Sequence, residues 1–176
     1  GAGEAIVERL PYGGANVQPM QRQLYFSTGE SVEIDDVVAS LFGATGSGSL
    51  RITPVGPAVV AAARTCNETP LGTFGQAVAP WRWDDGLGTD DEGWLVGLAD
   101  SADAGVGFRT NVALQNLWMA TVEVEVVFRD AAGQELGRRQ QTLRGFEGVQ
   151  WFRPLAEFAP GGVTAASALV RVVSGD

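Results

Sequence analysis

The segment ATVEVEVVFRD, residues 120–130, decides the fold. Val122, Val124 and Val126 alternate with Glu123 and Glu125, so a side-chain period of two puts the valines on one face and the glutamates on the other. This is the pattern of an antiparallel strand with one covered and one solvated face. Outward from it, residues 5–12 (AIVERLPY), 21–26 (QRQLYF), 49–55 (SLRITPV), 58–66 (AVVAAARTC), 108–116 (FRTNVALQN), 137–145 (GRRQQTLRG) and 167–175 (SALVRVVSG) share the β-branched and aromatic enrichment of strands. Turn residues fill the gaps, as YGGAN at 12–16, GSGS at 46–49, RDAAGQ at 129–134 and APGG at 159–162. The spacing predicts an all-β chain built from Ig-like antiparallel β-sandwiches. The exception is IDDVVASLFG, residues 34–43, which reads as a short helix with Asp35 or Asp36 as its N-cap and Gly43 as its stop.

A second pattern divides the chain. QRQLYFSTGESV, residues 21–32, returns as RRQQTLRGFEGV, residues 138–149, with Arg22, Gln23, Glu30 and Val32 repeated as Arg139, Gln140, Glu147 and Val149. At the same spacing of about 117 residues, Val7 and Glu8 fall on Val124 and Glu125, and the short helix falls on RPLAEFA, where Pro154 suits a first helical position. Leu50, Arg51 and Ile52 fall on Val170, Arg171 and Val172 after a small change in loop length. Two tandem sandwiches, each with one short helix, are therefore expected: residues 1–80, then an acidic, Trp-rich linker or edge strand at 81–100, then residues 101–176. Residues 108–116 have no counterpart in the first copy, and residues from Pro57 onward have none in the second. The expectation is that the counterparts come from a longer array or from a neighbouring chain, because an open sheet edge pairs readily with an added strand.

Composition narrows the chemistry. Among 176 residues, 12 basic against 21 acidic side chains give a net charge of -9, which disfavours nucleic acid and anionic lipid as partners. Every basic residue is Arg, so the Lys and His that serve most acid–base, Schiff-base and imidazole–metal chemistry are lacking. No apolar run reaches the roughly 20 residues of a membrane span. The single cysteine, Cys66, has no partner for an internal disulfide and no imidazole to activate it, and reads as a small apolar strand residue. An enzyme would have to work with carboxylates alone, as glycoside hydrolases do.

The densest cluster is WRWDDGLGTDDEGW, residues 81–94. Clustered carboxylate oxygens suit a hard cation, so Asp84, Asp85, Asp90 and Asp91 form a candidate Ca²⁺ site, although the spacing fits neither an EF-hand nor a nonapeptide repeat. A solvated acidic linker between sandwiches is the preferred reading of the same residues. Trp81, Trp83 and Trp94 are candidate ligand-binding residues, since aromatic faces beside carboxylates suit sugars. Packing at a domain junction is the competing role for the five Trp residues of the chain. Asn67-Glu68-Thr69 matches a glycosylation sequon or simply turns the chain toward Pro70. Arg64 and Arg109 are read as partners for Asp35 or Asp36. GATGSGS, residues 43–49, lacks the Lys of a phosphate loop and is a turn.

The segments ESVEIDDVVASLFGATGSGSLRIT, ARTCNETPLGTFGQAV and GLADSADAGVGFRTNVALQN resemble a tandem β-sandwich module of secreted and cell-surface bacterial proteins. GTFGQ at 72–76 followed by FRTN at 108–111 carries the resemblance, which covers nearly the whole chain. Cys66 stands where Tyr or Phe is usual, and Leu117 with Trp118 replaces the usual Pro turn after Asn116. The resemblance implies a non-catalytic extracellular structural or adhesive module that needs no cofactor. Its partners would be proteins, either repeats of the same chain or neighbouring subunits. A polysaccharide-binding accessory module of a secreted hydrolase is the alternative.

Overall fold

The computed structural model describes residues 3–56, 58–69, 72–103 and 105–175, with the side chains of 67–69 and 72–74 outside the description. The chain is all-β and its strand pairings are antiparallel. In the first half, β1 (Gly3–Pro11) lies between β2 (Met20–Phe26) and β3 (Gly48–Val55), and α1 (Val37–Phe42) sits between β2 and β3 in sequence. Among the described residues, β4 (Ala63–Thr69) and β5 (Gly72–Val78) pair only with each other. In the second half, β6 (Glu92–Asp100), β7 (Asn111–Gln115), β8 (Val122–Asp130), β9 (Glu135–Leu143), β10 (Gly148–Phe152), α2 (Pro154–Phe158) and β11 (Val163–Ser174) form a four-stranded sheet, β6-β11-β8-β9, and a two-stranded one, β10-β7.

These two sheets pack as a sandwich. Val112 of β7 meets Val124, Val126 and Phe128 of β8 and Ala166 and Ala168 of β11, with Leu114, Val149 and Trp151 packed against them. Leu155 of α2 is buried, and the Phe158 ring lies 5.6 Å from that of Phe128. Each fully buried side chain of this size contributes about 1.5–3 kcal/mol. The period-two reading of β8 holds for its valines and fails for Glu125. That carboxylate is buried, bonded to Arg138 at 3.2 Å, on a face where Val127 and Leu169 are buried too. A hydrogen-bonded ion pair makes such burial tolerable.

The two halves share their strand order. β2-β1-β3 corresponds to β9-β8-β11, and the cross-strand pairs Val7↔Ile52 and Glu8↔Arg51 reappear as Val124↔Val172 and Glu125↔Arg171. The pairing of β2 and β9 differs by two residues, since Arg22 faces Val7 whereas Arg139 faces Val126. That slip keeps every side chain on its face. Both helices also begin alike. Asp36 and Arg153 are left-handed N-caps, with φ of 43° and 48°. Gly43 closes α1 at φ 61°, a conformation that suits glycine, as the sequence predicts.

The halves meet edge to edge. The Gly13 N–H donates to Gly148 O at 2.9 Å, the Asn16 N–H donates to Gly145 O at 2.9 Å, and Arg51 stacks over Phe146 at 4.4 Å. Gly148 is required there, because a Cβ would lie 2.6 Å from the Tyr12 ring. β4 and β5 contribute strands to neither sheet. β6 and β7, preceding β8, complete the second half. Among the described residues, no helix is long and apolar enough to cross a membrane.

Candidate functional site

The Trp-rich acidic segment folds on its own polar bonds. A 3-10 turn at Trp83–Asp85 places Asp84 against Arg82 in a two-pronged pair at 2.8 and 2.7 Å, and Asp85 accepts the Arg82 N–H at 3.3 Å. The guanidinium holds the Asp84 carboxyl below its ordinary pKa. Asp91 accepts the Gly88 N–H at 2.9 Å, Asp90 takes a left-handed φ of 72°, and Glu92 pairs with Arg171 at 2.6 Å across β6 and β11. Among the described residues, no group of three carboxylate or thiol side chains is placed to hold a metal ion. Asp90, Asp91 and Glu92 rim a shallow depression of about 330 Å³ beside Arg171 and Val173.

The tryptophans correct the domain-junction reading. Trp81 is 81% exposed, Trp83 72%, Trp94 53% and Trp118 57%. Only Trp151 is packed, against the core and beneath Arg139 at 5.2 Å. Trp94 ends a cross-strand row, Arg138–Val127–Leu169–Trp94, on the face of the four-stranded sheet turned away from Val124 and Val126, where Val127 and Leu169 are buried and the two end residues are exposed. Burying aromatic surface normally stabilises a fold, and these four rings, on loop and edge, leave theirs largely uncovered.

Polar clamps that the sequence did not signal lie elsewhere. Asp100, at the end of β6, is buried and its Oδ1 accepts from Arg153 Nε and Nη2 at 3.0 and 2.5 Å, while Arg153 Nη2 also donates to Ser101 O at 2.6 Å. This contact raises the Arg153 pKa. The Arg153 N–H donates to Asn111 Oδ1 at 3.2 Å, so one N-cap residue ties β6 and β7 to α2. Asp100 lines a second cavity of about 350 Å³ with Ser101, Phe108 and Gly162. Buried Asn116 donates to the carbonyls of Ala120, Leu143 and Arg144, at 2.7, 3.3 and 2.9 Å, and locks β7 to the end of β9. Apart from Asn116 and Ala120, these partners lie far apart in sequence, and only the Asn of FRTN gave any hint.

The remaining expectations are placed as follows. The ion pair of the motif region is Arg153–Asp100 rather than one from Arg64 or Arg109 to Asp35 or Asp36, and Asp36 Oδ1 instead accepts the Ala39 N–H at 3.2 Å. Cys66 lies in β4 but is exposed, not packed. The side chains of Asn67 and Thr69 are outside the described residues. Of the glycine-rich residues 43–49, 43–47 form the turn between α1 and β3, and Gly48 and Ser49 begin β3. Comparison with protein-family models, with curated proteins and with solved structures gave no match.

Proposed function

We propose that this chain is a non-catalytic structural or adhesive element made of tandem Ig-like sandwich modules of a secreted or cell-surface protein. Its work is done by sheet edges and exposed faces, and its partners are protein strands. One observation carries the tandem reading: the Glu30 carboxylate accepts the Ser27 N–H at 2.6 Å while its own N–H donates to Ser27 O at 3.0 Å, and Glu147 repeats both bonds on Arg144 at 2.9 Å each. Ser27 and Arg144 occupy matching positions. Convergence of strand order, cross-strand pairs, left-handed helix caps and this turn is the behaviour of two copies of one module.

The exposure of Trp81, Trp83, Trp94 and Trp118 favours a second reading, a carbohydrate-binding accessory module. Intrinsic tryptophan fluorescence, titrated with cellulose-, xylan- and chitin-derived oligosaccharides, separates the two. The structural reading expects no saturable change. A saturable change lost in Trp83→Ala moves the assignment to the carbohydrate module, and release of reducing sugar would overturn the non-catalytic reading altogether.

A further inference from the structure

We propose that the free edge of β3, together with residues 31–35, is an acceptor for an antiparallel strand pair supplied by another module, an inference that rests on the tandem reading above. The second half is the template. There β11 is flanked by β8 on one side and β6 on the other, and β10 pairs with β7 from Gly148↔Gln115 to Phe152↔Asn111. Among the described residues of the first half, β3 has β1 as its one ladder partner, and residues 31–35, which match β10, belong to no strand. An unpaired backbone edge beside apolar side chains recruits an added strand.

Two apolar positions of the first half are left open. Val149 faces Leu114 of β7 and packs against the core. Val32, its counterpart, is 47% exposed, and Ile52, the counterpart of Val172, is 40% exposed. The incoming strand therefore supplies an apolar residue where β7 has Leu114. Pro54 offers no N–H, which limits the receiving ladder on β3 to the residues before it.

Charge selects the donor. In the second half the N-cap Arg153 grips Asp100 of β6. Asp36 holds the matching position with the same left-handed backbone and the opposite sign, and it is exposed. A donor with Arg or Lys in place of Asp100 gains an ion pair at Asp36, whereas β6 of a second copy of this chain would bring two carboxylates together. The partner is thus a β6–β7 strand pair of a differently charged module rather than another copy of this chain.

A labelled peptide with the sequence of residues 92–116 and Asp100→Arg, compared with the unaltered peptide, tests this by fluorescence anisotropy and amide hydrogen exchange on the full chain. The Asp100→Arg peptide is expected to bind about threefold tighter. The preference reverses in an Asp36→Arg chain, Val32→Glu loses both peptides without lowering the melting temperature, and exchange slows at residues 31–35 and 48–53. Equal binding of both peptides to both chains, protection elsewhere, or self-association that protects 31–35 without peptide would overturn the assignment. The same exchange data report on the two glutamate turns. Protection of both turns without peptide binding defeats the acceptor alone, whereas an unprotected Ser27–Glu30 turn removes the tandem reading beneath it.

Discussion

Glu30 and Glu147 make the same turn with unequal consequences. Glu30 is exposed, whereas Glu147 is buried and also accepts from Arg144 Nε at 2.9 Å. Removing a buried acceptor of a charge-assisted bond costs about 1.5–3 kcal/mol, so Glu147→Ala should lower the urea midpoint clearly while Glu30→Ala shifts it by under about 1 kcal/mol. The side-chain bond from Arg144 is the main cause of a lowered Glu147 pKa, with backbone and charge contributions from Arg144 in the same direction and desolvation opposing them. Folding therefore favours the ionised form. Its contribution is whole above the ordinary Glu pKa of 4.5 and is lost as pH falls through the lowered one. Urea titrations between neutrality and acid should show stability falling below about pH 4.5, with a shallower fall in Glu147→Gln. The identity of these glutamates was plain in the sequence. Their bonds were not, because one glutamate reads the same whether exposed or covered.

At the scale of elements, local signals proved reliable and distant ones did not. The caps Asp36 and Gly43 and the first-turn Pro154 act within a few residues, and the two helices lie where those residues put them. Residues 58–66 looked like one strand, yet β4 begins at Ala63 and, among the described residues, finds its only partner in β5. The tryptophan segment looked like junction filling, yet Arg82, Asp85 and Asp91 hold it by bonds within the segment, leaving the rings outside. Arg153 and Asp100 lie 53 residues apart, beyond any sequence window. A two-stranded ribbon with exposed faces is marginally stable. Amide exchange should therefore be fast at 64–66 and 75–78 and slowest at Val126–Phe128, where β8 is flanked on both sides. Comparable protection in both places would mean that β4 and β5 are covered by something else.

Across the whole molecule, the joint between the halves is made largely by main-chain groups. Asn16 is its polar centre, with Nδ2 donating to the carbonyls of Pro11, Gly14 and Phe146 at 3.0, 3.0 and 2.9 Å. Asn16→Ala strands these acceptors at a cost of about 1–3 kcal/mol, and urea unfolding, expected in one transition for the unaltered chain, should separate into two, the second half unfolding last. An unchanged single transition would show that the halves stay coupled without it.

The placement of β1 and β11 has a mechanical meaning. Tension running along the polypeptide enters through β1 and leaves through β11, and each is an inner strand held by neighbours on both sides. Pulling along such a strand loads its crosswise hydrogen bonds together, as in shear, instead of opening them one at a time. Once the joint between the halves opens, the β4–β5 ribbon comes under the same tension, and its two strands, joined end to end at one tip, would open bond by bond. The chain thus places a weak extensible link between two stiff sheets, and under load it would lengthen at its middle before either sheet gave way.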